Sequence, residues 1–476
     1  MAGKLIKAGL AYTICNVILR GISFFTVPLF IRLLTPLEFG KYNVFISIEG
    51  ILFVISGLAI HCSIKNALYD KKETYDDYVK NCVYIDIVAS IIIGVLGNFA
   101  CLFFSEAIDL TFTEVNLLTI SGFCQSLISI YTAKLIMNYQ SGDFVIVSFI
   151  TVIFGIALSL LFIFTIFDSN RYFGRIWGAV GGQIIAAVYI LWRLFKNGLA
   201  NININDWKYG LKISLPIVPH GISQVILSSS DRIMIKYIHN AILAGIYSFT
   251  YTISLVPQIL FASLSKVWEP WFFEQMDKED KHAIQKGSHH FFILITSAYI
   301  LMACIVPEIV MIMATPDYYD CMDISIIILI GYYFATLYYI PCEVEYFHKK
   351  TKYIAFSTVS CAILNIILNY YLLTHFSYKS AAVSTVVSYF LYFLFHMYMA
   401  YKISGYWPFD IKRMGIGILI FFTLISITLL SISSIYTRII IFICVSAYTL
   451  LHFKEFLNKR VKTFISTYIW KQHTDN

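Results

Sequence analysis

A few ionisable side chains interrupt the long apolar runs of this chain, and chemistry could be done at those positions. Arg20 stands near the middle of the first run, Glu49 within the second and Asp86 within the third. Asp231, Arg232 and Lys236 fall toward the end of the seventh, and Glu343 and Glu345 near the end of the tenth. A charge at mid-bilayer costs roughly 2.5–3.5 kcal/mol on insertion scales, so each must face protein or water. Arg20 has two readings: a cationic contact for an anionic substrate in a wet cavity, or a buried ion pair with Glu49 or Asp86. Asp231 and Arg232, adjacent and opposite in sign, can neutralise each other at a membrane boundary. Glu343 and Glu345 are expected at the interface. Asn16, Gln125, Asn138, Gln224 and Ser228, Ser229 and Ser230 could line a hydrated cavity or hold helices together.

Other chemistries lack their residues. Nine of the ten cysteines lie in apolar runs, Cys321 falls in an expected loop, and no CxxC or Cys/His spacing suits a metal. No GxxxxGK phosphate loop occurs, so no ATP hydrolysis of that kind is expected. His61, His220, His289 and His290 read as hydrogen-bonded or interfacial histidines. Pro216, Pro219 and Pro257 remove intrahelical hydrogen bonds and suit a hinge or a static kink.

The elements that position these residues follow from composition. The chain has 476 residues, 59% hydrophobic and 13% charged, with a net charge of +7. That polar share is too small to cover several soluble cores. A helix crosses hydrocarbon with about 20 apolar residues, and runs of that kind predict an all-α, polytopic membrane protein. The spans fall near 10–31, 42–64, 81–104, 115–137, 144–167, 174–195 and 213–237. Further spans fall near 243–265, 288–313, 324–345, 353–374, 379–401, 413–432 and 437–453, making fourteen. On this plan 26 of the 35 Lys and Arg residues share one side with the termini, which makes both termini cytoplasmic. The net charge is then a leaflet bias and implies no nucleic-acid partner. Every loop is too short for a soluble catalytic domain, so the chain is not expected to be an enzyme. Residues 266–287, carrying Trp268, Trp271, Phe272 and Phe273, read as an interfacial amphipathic helix.

Shifting the chain by 205 residues aligns Lys7 with Lys212, Ser23 with Ser228, Gly40 with Gly245 and Tyr42 with Tyr247. The offset equals six spans, as in a parallel transporter repeat. The expected parts are an N-lobe (1–200), a C-lobe (201–402) and an accessory helix pair with its tail (403–476). In the sixth span, Gly174, Gly178, Gly181 and Gly182 form a small-residue face for close packing.

Several segments together resemble a known family. They are VPLFIRLLTPLEFGKYNVF (27–45), SLPIVPHGISQVILSSSDRIMIKYI (214–238) and AGIYSFTYTISLVPQIL (244–260). The paired asparagines of ILNIILNYYL (363–372) and AAVST (381–385) fit the later helices. The chain resembles the polysaccharide-transport branch of the multidrug/oligosaccharidyl-lipid/polysaccharide exporter superfamily, the O-antigen and capsule repeat-unit flippases. The resemblance implies two six-helix lobes in the arrangement of the superfamily's multidrug exporters. It implies alternating-access transfer of undecaprenyl-pyrophosphate-linked oligosaccharide across a bacterial cytoplasmic membrane. A polymerase and a chain-length regulator are the implied partners besides membrane lipids. The arginine of the family's Asp-Arg pair falls on Arg232, and a cationic cavity residue of the first helix on Arg20. The resemblance leaves proton or sodium coupling open and implies no other cofactor. The rival readings are a cation-coupled multidrug exporter, which favours acidic cavities, and a polysaccharide polymerase, which needs a large outer loop.

Overall fold

The computed structural model describes residues 2–474; the side chains of 1–10, 13, 105–108, 263, 267 and 455–476 are outside the description. Lys4, Lys7 and the basic residues of the tail beyond Lys454 therefore lie outside the described side chains. No strand occurs among the described residues, and fourteen helices are long and apolar enough to cross a bilayer. They are α1 (Ile14–Leu33), α2 (Pro36–Ser56), α3 (Lys72–Phe104), α4 (Phe112–Met137), α5 (Ser141–Thr165) and α6 (Arg171–Phe195). The next are α7 (Ile204–Ile238), α8 (Ala241–Lys266), α9 (Lys281–Met313) and α10 (Cys321–Phe347). The last are α11 (Thr351–His375), α12 (Tyr378–Ser404), α13 (Ile411–Leu430) and α14 (Ile435–Lys454).

Local chemistry moves some boundaries from those expected. Helix α2 begins at Pro36 rather than near 42, because Thr35 and Glu38 form a reciprocal capping box and Pro36 occupies the first turn. It ends at Gly57 rather than near 64. Leu58 and Ala59 take positive φ there, and a short 3-10 turn, Ile60–Ser63, follows. Burial, helped by Lys65, holds the His61 imidazole in this turn below its ordinary range. Residues 266–287 form no separate interfacial helix. Residues 266–277 continue the helix Val256–Asp277, residues 278–280 turn, and α9 begins at Lys281; Trp268 and Phe272 are buried with Trp268 stacked on Phe291. Trp268 and Phe272 are held by other aromatic rings of the protein, whereas Trp271 is half-buried and Phe273 is exposed. Cys321, expected in a loop, opens α10 and is fully buried.

Packing divides the chain into two compact units. One comprises Met1–Phe249, Ile312–Tyr319 and Ala355–Ser388; the other comprises Thr250–Met311, Asp320–Ile354 and Tyr389–Asn476. In the first unit the glycine face of α6 lies directly on α5. An added Cβ on Gly178 would come within 2.1 Å of the Ser159 backbone, and one on Gly182 within 2.5 Å of Gly155. In the second unit α9 holds α13 and α14. Arg438 of α14 donates to the Cys304 carbonyl at 2.8 Å and to Glu308 at 2.5 Å, and Thr449 donates to Ser297 at 2.8 Å. Tyr333 of α10 stacks on Phe421 of α13 with centroids 3.8 Å apart.

The repeat leaves a physical trace inside the first unit. A Cβ on Gly40 would lie 1.8 Å from the carbonyl oxygen of Ala241, and one on Gly245 would lie 2.2 Å from that of Pro36. Residues 36 and 241 are themselves one repeat apart, as are 40 and 245. The starts of α2 and α8 thus meet reciprocally through residues 205 positions apart.

Candidate functional site

Helix α1 has two different exposed faces. Ile14, Ile18, Phe25 and Leu29 are exposed at four- and seven-residue spacing, an apolar stripe of the kind lipid covers. Asn16, Arg20 and Ser23 are exposed as a second stripe of the same helix, joined to the first on one flank by exposed Val17 and separated from it on the other by buried Cys15 and Leu19. The polar stripe follows from residues at i, i+4 and i+7. Arg20 makes no ion pair or hydrogen bond among the described residues. The pairing of Arg20 with Glu49 or Asp86 is therefore absent.

The carboxylates that were candidates for such pairing are occupied or isolated. Glu49, 2% exposed, accepts from the Ser121 hydroxyl and from the amides of Gln125 at 3.0 Å and Gln183 at 2.9 Å. Three uncharged donors from α4 and α6 thus satisfy it. Asp86 is fully buried on α3, and both of its carboxyl oxygens lack a hydrogen-bond partner among the described residues.

Helix α7 is broken at its prolines. A 3-10 turn, Leu215–Ile217, contains Pro216, and Pro219 sits in the first turn of the helix Val218–Ile238. Pro257 likewise opens the helix Val256–Asp277 within α8. Beyond the break, Asp231 is fully buried. It accepts from Tyr247 at 3.0 Å, Thr385 at 2.8 Å and Asn369 at 2.7 Å. Asn369 also donates to Asn365 at 3.0 Å, Ser230 donates to Asn365 at 2.9 Å, and the Ser384 hydroxyl donates to Asn369. Adjacent Arg232 donates to the Ser228 carbonyl at 2.6 Å, and Lys236 forms an ion pair with Asp109 at 2.8 Å. Gln224 is half-buried with no hydrogen bond among the described residues, and Asn138 caps the end of α4 beside Lys134.

Asn365, Asn369 and Thr385 were legible as motif residues; their convergence on Asp231 was not. The signal was the four-residue asparagine spacing, which puts both amides on one face of α11. The carboxylate, amide and hydroxyl oxygens of this cluster are donors of the type that hard cations take. Two other features escaped sequence reasoning. Arg175 lies with its guanidinium 3.8 Å from the Phe30 ring centre, and its Nη1 donates to Ser159 at 2.8 Å. Glu343 and Glu345, expected at the interface, are 5% and 0% exposed. Glu345 has a partner on α12: His396, fully buried, meets it at 2.5 Å.

The fold defines a class first. The chain aligns with the structure of the lipid II flippase MurJ in an inward closed conformation, with TM-score 0.73 and 16% identity, covering 94% of this chain and 100% of that one. It aligns with a multidrug resistance transporter of the MATE family and MOP superfamily in an inward-facing conformation at TM-score 0.66 and 11% identity, covering 84% and 99%. An outward-facing structure of such a transporter gives TM-score 0.58 at 11% identity, covering 84% and 96%. The molecule therefore has the fold of polytopic helical transporters. The sequence specifies the family: the polysaccharide biosynthesis protein family matches residues 5–276, and the chain belongs to it. No curated protein matches the chain by sequence.

Proposed function

We propose that the chain is a flippase for lipid-linked oligosaccharide. It carries undecaprenyl-pyrophosphate-linked repeat units from the inner to the outer leaflet of a bacterial cytoplasmic membrane, for O-antigen, lipopolysaccharide or capsule synthesis. The observation that carries this reading is the polar stripe of α1, an unpaired arginine flanked by Asn16 and Ser23 near the middle of a long, mostly apolar helix. A pyrophosphate cannot enter hydrocarbon bare. A guanidinium matches phosphate oxygens in fork geometry and replaces their water. Family membership and the MurJ-like fold support a saccharide-bearing lipid as cargo. The isoprenoid tail stays in lipid while sugars cross among Asn16, Gln224 and the α7 serines.

Transport proceeds by alternating access, with two six-helix lobes (1–200 and 201–402) rocking about the reciprocal contact at Gly40 and Gly245 and flexing at Pro216, Pro219 and Pro257. Both termini are cytoplasmic in this reading, which the Lys and Arg bias supports. Proton or sodium coupling belongs to the same reading, with Glu49, Asp86 and Asp231 as the carboxylates available.

The test is Arg20→Ala in a host lacking its own copy of the gene. One charge-assisted phosphate contact contributes about 1.5–3 kcal/mol, so surface polysaccharide export should fall roughly ten- to a hundredfold at unchanged membrane abundance. Normal export at normal abundance removes Arg20 from the transport path.

A further inference from the structure

Two adjacent hollows lie in the first unit, at the ends of α2, α4 and α6 where those helices begin. One, about 220 Å³, is bounded on its polar side by Lys41, Asp109, Thr111, Glu114, Tyr172 and Lys236. The other, about 410 Å³, lies beside Glu38, Asp168, Asn170 and Arg171 and shares Lys41 and Tyr172 with the first.

Most charges here are already used. Glu114 accepts from the Thr111 backbone and hydroxyl, each at 2.8 Å, and Glu38 accepts from the Thr35 backbone at 3.0 Å and the Arg171 backbone at 2.8 Å. Lys236 is paired with Asp109 at 2.8 Å and Arg171 with Asp168 at 2.9 Å. Among the described residues Lys41 is the cation of this rim without an ion pair, and Glu38 and Glu114 are its carboxylates without one. The Lys41 ammonium sits 5.0 Å from the Tyr172 ring centre, half-buried. The first hollow is apolar on its remaining side, where Val44, Phe45 and Leu110 form the wall.

An apolar wall facing a rim of donors and acceptors suits a pyranose, which has a C–H face and a hydroxyl edge. Bare phosphate would lose water against Phe45 and gain nothing from it. We propose that these hollows form a saccharide subsite in which Lys41 holds the carboxylate of an acidic sugar residue. The assignment rests on the proposed function, since it makes the glycan of the cargo the ligand.

The full chain in lipid nanodiscs, probed by saturation-transfer NMR with sodium glucuronate and with glucose, tests this directly. Wild type should give glucuronate signals stronger than those of glucose; Lys41→Gln should lose them, and Lys41→Arg should keep them. No glucuronate signal in wild type, or an unchanged signal in Lys41→Gln, overturns the subsite. A lower thermal midpoint for Lys41→Gln transfers the decision to Lys41→Arg against wild type, and loss of signal with the charge kept then counts against it. Binding needs no transport. A chain that binds glucuronate through Lys41 but exports no polysaccharide contradicts the flippase reading alone, whereas an exporting chain with Lys41-independent binding contradicts the subsite alone.

Discussion

Asp86 and Asp231 are both fully buried carboxylates within the apolar spans, yet their surroundings assign them opposite structural weight. Asp231 accepts from Tyr247, Thr385 and Asn369, so removing it strands three buried donors. Each stranded group costs about 1–3 kcal/mol, less where it finds another partner. Asp231→Ala should therefore lower the thermal midpoint of the purified protein markedly. Asp86 has no hydrogen-bond partner among the described residues, and Asp86→Asn removes the charge at nearly constant shape. That variant should keep the midpoint or raise it. A midpoint that falls as far for Asp86→Asn as for Asp231→Ala would show that Asp86 is held by contacts of equal weight. Arg20 follows the same logic from the other side: an exposed, unpaired cation contributes little to stability, so its substitution should affect transport and leave the midpoint unchanged.

At the scale of elements, the close crossing of α2 and α8 leads to a second prediction. A side chain cannot be built at Gly40 without displacing the Ala241 carbonyl, whereas Gly142 has nothing within 4 Å of an added Cβ. Gly40→Val should therefore impair export at normal abundance, and Gly142→Val should not. Equal export by both would mean that the crossing is not part of the transport cycle. This contact also illustrates what the sequence allowed to be read. The 205-residue shift already paired Gly40 with Gly245, and the small-residue spacing of α6 already marked a packing face. Both patterns are local or repetitive, so they survive in one dimension. The partners of Glu49, Asp231 and Glu345 do not, because each lies on other helices of the chain and apolar spans give no register between helices. The start of α2 was missed for a different reason. The span expected near 42–64 leaves Glu38 outside it, and the Thr35–Glu38 capping box places Glu38 in the first turn of the helix.

At the scale of the molecule, fourteen candidate spans among the described residues, a transporter fold and membership of the polysaccharide biosynthesis protein family stand together. The same fold also serves multidrug exporters, so the cargo must be decided by chemistry rather than architecture. The charges exposed on α1, Arg20 and Arg32, are both cations, which suit a phosphate and repel a cationic drug. The most direct measurement uses the purified chain in sealed vesicles containing a fluorescent polyprenyl-pyrophosphate oligosaccharide, with an impermeant quencher reporting leaflet exchange. The account predicts exchange that depends on the protein and collapses in Arg20→Ala. Vesicles that show no exchange above the empty control, while the same protein moves a cationic dye, would contradict it.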